Sequence, residues 1–190
     1  MRPRRKLLVA VVVSALAAGG ADAQQPPSIL GAPDARTYAE LLAMTDTRQF
    51  DPALVDRALA SRSPALRAAA TLAIGQIGPE HGMAGSARLR RLLTDNEILV
   101  AANAAYAIGL LRDSASISAL SAALSGNHEV AREAAWALGE TGTPARIAIT
   151  RALAGPHPTD VTVQLVLAAA KVFDHVYSAY RSAEGPDRNP

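Results

Sequence analysis

The 190-residue chain contains no cysteine, so no disulfide bond can contribute to its stability. Its core must therefore hold by packing alone. Aromatic residues are also scarce, at 4% of the chain, and Trp136 is the single tryptophan. No glycine-rich phosphate loop, nucleophile elbow or ordered set of Ser, His and Asp is visible, so the sequence offers no pattern for a nucleotide-binding or hydrolytic enzyme.

Positive charge is concentrated at the very start of the chain. The formal net charge is +2, but Arg2, Arg4, Arg5 and Lys6 all lie within the first six residues. These four side chains and Asp22 are the charged residues of segment 1–23, so the remainder carries a net charge close to −1. A near-neutral chain has no electrostatic footprint for nucleic acid, and we expect no nucleic-acid partner.

Residues 1–23 have the pattern of a secretory signal peptide. The basic start precedes the apolar run LLVAVVVSALAA at residues 7–18 and the small-residue cleavage signal Ala21-Asp22-Ala23. The run is shorter than the roughly 20 residues that a membrane-spanning helix needs, so we prefer a cleaved leader to a membrane anchor. We therefore predict an exported protein, periplasmic rather than secreted into the medium. No cysteine follows the cleavage site for lipid attachment, so we expect no stable membrane anchor after cleavage.

Two polar segments flank the predicted folded part, which spans residues 34–180. Residues 24–33, QQPPSILGAP, are predicted to form a flexible lead-in, and residues 181–190, RSAEGPDRNP, a disordered tail. The segment between them is long enough for one domain of ordinary size.

The middle of the chain repeats. Alignment on a Leu-Gly or Ile-Gly pair gives LRAAATLAIGQIG at 66–78, VAANAAYAIGLLR at 100–112 and VAREAAWALGETG at 130–142. A period of 30 to 34 residues indicates a solenoid of stacked units.

Apolar residues in each copy recur at i, i+4, i+7, i+8 and i+11, which is one face of an α-helix. They are Leu66, Ala70, Ala73, Ile74 and Ile77, then Val100, Ala104, Ala107, Ile108 and Leu111, then Val130, Ala134, Ala137, Leu138 and Thr141. Stacked helices favour small residues that allow close approach. We expect Gly75, Gly109 and Gly139 where a side chain would push the next helix away, since glycine costs about 1 kcal/mol in a helix interior.

A shorter helix is predicted before each of these long ones. Asp51-Pro52, Ser63-Pro64 and Thr143-Pro144 each place an N-cap oxygen before a proline at the first helical position. The predicted pairs are 51–60 with 64–77, 84–93 with 96–111, 115–125 with 128–140, and 144–154 with 160–179.

The fourth pair departs from the pattern, because Lys171 falls at the Ile/Leu position and no glycine follows it. Its predicted apolar face is Val163, Val166, Leu167, Ala170, Phe173 and Tyr177. A degenerate last repeat is typical of a capping unit, and residues 34–44 are predicted to cap the other end.

The repeated stretches resemble the short HEAT-like repeats of the bacterial phycobilin-lyase type, whose pattern is V-R-x-A-A-x-x-A-L-G-x-x-G. The resemblance covers about residues 51–173. It implies an all-α, right-handed solenoid of about four helix pairs with an N-terminal capping helix. The W-x-x-L-G of tetratricopeptide repeats and the T-P-L-H of ankyrin repeats are both absent.

The resemblance also suggests a metal-dependent activity, but the residues at the matching positions do not support one. A eukaryotic HEAT-repeat hydroxylase binds iron through one His-Glu pair per repeat. The matching pairs here are Ala68-Ala69, Ala102-Asn103 and Arg132-Glu133, so only Glu133 is retained. His128-Glu129 stands one turn too early, and the other histidines are scattered. We therefore expect neither a metal site nor a cofactor, and the sequence favours a non-catalytic role.

The resemblance also implies that the second helices line a concave groove, which would bind a protein or peptide. The outward positions give the row Leu72, Tyr106 and Trp136. The other predicted partner-binding residues lie one turn away: Gln76, Leu110, Arg132, Glu133 and Glu140. Aromatic and arginine side chains dominate binding energy at interfaces, although Tyr106 and Trp136 could also pack at the edge of the core.

Two alternative functions stay open. The chain could be the repeat module of a larger exported enzyme, such as a prolyl isomerase. It could also be a HEAT-family lyase or oxidoreductase homologue without an intact metal site.

Overall fold

The computed structural model describes the backbone of residues 32–184 and the side chains of residues 34–174. This part of the chain is helical and contains no strand. Its α-helices are α1 (Ala32–Thr47), α2 (Pro52–Leu59), α3 (Pro64–Gln76), α4 (Pro79–Gly82), α5 (Ser86–Leu92), α6 (Ile98–Leu111), α7 (Ile117–Ala123), α8 (His128–Glu140), α9 (Arg146–Leu153) and α10 (Thr159–Glu184). Short 3₁₀ turns, Met83–Gly85, Ser114–Ser116 and Thr143–Ala145, precede α5, α7 and α9.

The helices form four packed pairs, α2/α3, α5/α6, α7/α8 and α9/α10, as the repeat predicted. The second helices stack in chain order, α3 on α6, α6 on α8 and α8 on α10. At the start, α1 packs against α2 and α3 and buries Leu41 and Met44. The all-α solenoid with an additional N-terminal helix is therefore confirmed.

Two of the three predicted N-caps are confirmed and one is wrong. Asp51 accepts hydrogen bonds from the N–H groups of Ala53 and Leu54, and the Ser63 hydroxyl accepts one from Leu66 N–H. Thr143 does not cap α9, which begins at Arg146. Instead the carbonyl of Gly142 accepts from Ala145 N–H at 2.9 Å, so Thr143 and Pro144 lie inside a 3₁₀ turn.

The repeat glycines lie where successive second helices touch at the backbone. A Cβ on Gly75 would stand 2.7 Å from Cα of Ala107, one on Gly109 would stand 3.0 Å from Cα of Ala137, and one on Gly139 would stand 2.9 Å from Cα of Ala168. The distances at Gly75 and Gly139 are too short for real carbon atoms, and at Gly109 the Ala137 contact is tight while the Trp136 ring lies closer still. The predicted role of the three glycines is confirmed.

The predicted apolar face of α10 is wrong. The buried residues are Val161, Leu165, Ala168 and Val172, which repeat the spacing of the earlier second helices. Contact between Ala168 and Gly139 sets the rotation of α10, so Ala169-Ala170 replace the Ile/Leu-Gly pair. The sequence alignment, which put Lys171 at the Ile/Leu position, was two residues out.

The described residues of the predicted apolar face of α10 are therefore exposed. Val166 is 52% exposed, whereas its counterparts Thr71, Ala105 and Ala135 are each 0% exposed under the following helix. We call the surface formed by Val163, Val166, Ala170 and Phe173 the end face. The side chain of Tyr177 lies outside the described residues.

The segment boundaries also shift by a few residues. Helix α10 continues to Glu184, past the predicted end at 179 and into the segment 181–190, and α1 begins at Ala32. The predicted signal peptide, the rest of the lead-in and residues 185–190 lie outside the described part of the chain.

Asp113, which follows α6, centres a buried polar cluster. Its carboxylate accepts hydrogen bonds from the hydroxyls of Ser86 and Ser116, from Ala115 N–H and, at 2.9 Å, from the Arg90 guanidinium. Burial raises the pKa of Asp113. The hydrogen bonds and the charge of Arg90 together lower it by more, so the pKa lies below its usual value. The cluster joins α5 to the turn that leads into α7 and ties the second helix pair to the third.

We expect Gly75→Ala to lower the free energy of unfolding by up to about 2 kcal/mol. Alanine gains about 1 kcal/mol in helix propensity, but overpacking against the Ala107 backbone costs about 1 to 3 kcal/mol. Urea unfolding followed by circular dichroism measures the difference. Gly155→Ala is the control, because a Cβ there would lie 3.5 Å from the carbonyl oxygen of Ala152, which is ordinary van der Waals contact. A stabilising effect of Gly75→Ala would contradict the close contact.

We expect Asp113→Asn to cost about 2 to 4 kcal/mol at neutral pH, because it removes a buried charge that four donors solvate. A lowered pKa in the folded state stabilises the fold above the unfolded pKa of about 4, and this stabilisation is lost as pH falls through the folded pKa. The gap between wild type and variant should therefore shrink in urea unfolding below about pH 4. The exposed Asp46→Asn controls for net charge, and a pH-independent gap would argue against an ionised Asp113.

Candidate functional site

The predicted binding residues all lie on the second helices. Leu72 and Gln76 lie on α3, Tyr106 and Leu110 on α6, and the remaining four on α8: Arg132, Glu133, Trp136 and Glu140. Gln76 and Arg132 are exposed and the other six are half-buried. The helices therefore present these side chains to solvent at equivalent positions of successive repeats.

The two aromatic residues stack on each other. The ring centroids of Tyr106 and Trp136 lie 4.8 Å apart with an interplanar angle of 24°. The indole also covers Gly109, since its Cε3 would lie 2.9 Å from a Cβ there. Trp136 thus packs at the edge of the core and is part of the exposed surface at the same time.

The charged residues of the site pair with each other. Arg132 donates to Glu133 at 2.9 Å, and this hydrogen bond raises the pKa of the Arg132 guanidinium. Glu140 pairs with Lys171 of α10. The surface around Trp136 therefore carries charges that neutralise one another.

Leu110 has a packing contact as well as an exposed edge. Its Cδ1 would lie 3.2 Å from a Cβ on Gly75, so it leans across the contact between α3 and α6. Leu72, one repeat before Tyr106, is half-buried. The α3 and α6 part of the surface is thus mostly apolar, and the α8 part is charged.

Sequence reasoning missed Leu167, which continues the row on α10. With Ala170 at the glycine position, Leu167 is the counterpart of Trp136, and it is 57% exposed. We call Leu72, Tyr106, Trp136 and Leu167 the second-helix row. The spacing of Val161, Leu165, Ala168 and Val172 is the signal that could have shown this alignment.

A cavity of about 220 Å³ lies beside this row, between α8 and α10. Its lining includes Gly139 and Ala168 at the helix contact, together with Trp136 and Leu167. Glu140, Gln164 and Lys171 complete the lining. We call this cavity the Gly139 notch.

A wider groove of about 450 Å³ lies between the second and third helix pairs and was also not predicted. Its apolar lining includes Leu93, Ile98 and Val130. Its charged lining residues are already paired within the chain, Arg90 with Asp113 and Asp95 with Arg67. The groove therefore offers apolar surface without a free charge.

The histidines do not form a metal centre within residues 34–174, where no group of three or more potential ligands occurs. His128 instead contacts Asp160 of α10 at 2.8 Å. His157 lies 3.1 Å from the carbonyl of Ala152. Of the described helices, none is both long and apolar enough to cross a membrane.

Helix pairs that stack through their second helices define an α-solenoid repeat protein. Two overlapping stretches, residues 52–139 and 85–170, match HEAT repeats and together cover more than half of the chain. The chain therefore belongs to the HEAT-repeat family. No curated protein matches it significantly. Its assignment to the phycobilin-lyase type stays a prediction.

Proposed function

We propose that this protein is an exported, non-catalytic scaffold that binds a protein or peptide in a concave groove along its second helices. HEAT repeats generally serve as protein-interaction scaffolds. The observation that carries the proposal is the second-helix row, in which a stacked, half-buried Tyr106–Trp136 pair lies beside the exposed Leu167. Large aromatic side chains on an accessible surface are typical centres of binding energy.

The electrostatics of the row support a partner that contributes little charge. Arg132 and Glu140 already have partners, Glu133 and Lys171. A bound charge would have to compete with these pairs. Affinity is therefore expected from apolar contacts, with polar groups at the rim.

Export is supported by the pattern of residues 1–23, and the periplasm is the proposed location. Membership of the phycobilin-lyase type is supported by VAREAAWALGETG, which matches six of the eight fixed positions of that repeat pattern. We do not extend a lyase activity to this chain, since no catalytic set of residues supports one.

A second candidate function is a repeat module in a larger assembly. The end face favours it, because Val166 occupies a position that is covered in the three preceding repeats. Exposed apolar patches of this kind mark interaction sites.

A matched pair of variants distinguishes the two candidates. Leu167→Glu places a charge in the second-helix row, and Val166→Glu places one on the adjacent end face. Both positions are about equally exposed, so both variants should fold. With each protein immobilised, we expect partners from the exported fraction of native cells to be captured by wild type and Val166→Glu and lost with Leu167→Glu.

The other outcomes have defined meanings. Loss of capture only with Val166→Glu would show that partners bind the end face rather than the groove. Equal capture by all three proteins would contradict both candidates. Unchanged circular dichroism spectra serve as the control for folding.

Export has its own test. We expect the protein isolated from the periplasmic fraction to begin at Gln24, because cleavage follows Ala23 in the predicted signal. Mass spectrometry of the intact protein measures the N-terminus. An uncleaved chain in the cytoplasm would overturn the proposed location.

A further inference from the structure

The Gly139 notch lies at the position equivalent to the surface of Gly109, which the Trp136 ring covers one repeat earlier. At Gly109, the ring of Trp136 lies directly over the glycine, together with the backbone of Ala137. At Gly139, the three atoms nearest to a Cβ position all belong to Ala168. Leu167, the counterpart of Trp136, is 57% exposed, and none of its atoms is among the three nearest to that Cβ position.

The size of the notch suits an aromatic ring. A cavity of roughly 150 Å³ is enough to bind benzene when its walls are apolar. The notch measures about 220 Å³, and most of its exposed lining is apolar. Trp136 in its lining could stack with such a ring or meet its edge.

The rim of the notch favours an uncharged occupant. Glu140 and Lys171 form an ion pair with each other, and Gln164 is neutral. A charged side chain entering the notch would break this pair or lie against apolar walls without a counter-ion, which is costly. The neutral rim therefore favours an apolar side chain on an uncharged segment.

We propose that the Gly139 notch binds an aromatic side chain, presented by an uncharged segment of the partner polypeptide. The inserted ring takes the place beside Gly139 that the Trp136 indole takes beside Gly109. The inference rests on the proposed function, since it names the chemistry of the partner at the second-helix row.

The test uses the indole N–H signal of Trp136 in NMR spectra of the full chain, where it is the single tryptophan. The probes are N-acetyl-phenylalaninamide, N-acetyl-alaninamide and N-acetyl-glutamate. We expect a saturable shift with the phenylalanine probe, at least about tenfold weaker binding of the alanine probe because its apolar area is smaller, and no saturable shift with glutamate.

Two size-matched variants locate the binding. Leu167→Phe supplies a ring from within the chain and should abolish the shift, whereas Val166→Phe adds the same side chain on the end face and should leave it unchanged. Equal response to the phenylalanine and alanine probes, or a response that survives Leu167→Phe, would overturn the proposal.

Capture experiments separate this proposal from the broader one. A partner that is lost with Leu167→Glu but retained by Leu167→Phe would support the groove and refute the notch. A partner retained by both would refute the groove. Loss with both variants, and retention by Val166→Phe, is the expected result.

Discussion

The structure depends on one contact that recurs three times, a glycine of one second helix against the backbone of an alanine in the next. Gly75 lies on Ala107, Gly109 on Ala137 and Gly139 on Ala168. Neither partner can be larger without separating the helices. Because the contact involves backbone atoms, it fixes both the spacing and the rotation of each helix relative to the one before. A chain without disulfides obtains its rigidity from this repeated close packing.

The same constraint produces the candidate binding surface. Once glycine and alanine are in contact, the residue three positions before each glycine must lie at the helix surface, and this gives Leu72, Tyr106, Trp136 and Leu167. Side chains at these positions are free to vary in size, since they do not separate the helices. The indole of Trp136 covers one glycine, while no atom of the smaller Leu167 is among the three nearest to a Cβ position on the next. Variation at a single repeat position thus changes a packed surface into a cavity.

Much of the fold could be predicted because each repeat carries local signals. Glycine spacing, the apolar face and the caps at Asp51 and Ser63 identify the helix pairs without tertiary information. The rotation of α10 could not be predicted in this way, because apolar residues occur on both of its sides and only the contact of Ala168 with Gly139 chooses between them. Thr143 was misplaced for a related reason, since the geometry of Gly142 determines the turn. The pairing of Glu140 with Lys171 joins two repeats and is invisible to local patterns.

The measurement that addresses the glycine-on-alanine contact most directly is a nuclear Overhauser spectrum of the folded protein. We expect strong cross-peaks from the α-protons of Gly75 and Gly139 to the methyl groups of Ala107 and Ala168. We also expect the α-protons of Gly109 to be shifted by the ring current of Trp136. If these cross-peaks and this shift are missing from a spectrum of otherwise well-dispersed helical signals, the second helices are not in backbone contact. The rotation of α10 and the position of the second-helix row would then be wrong as well.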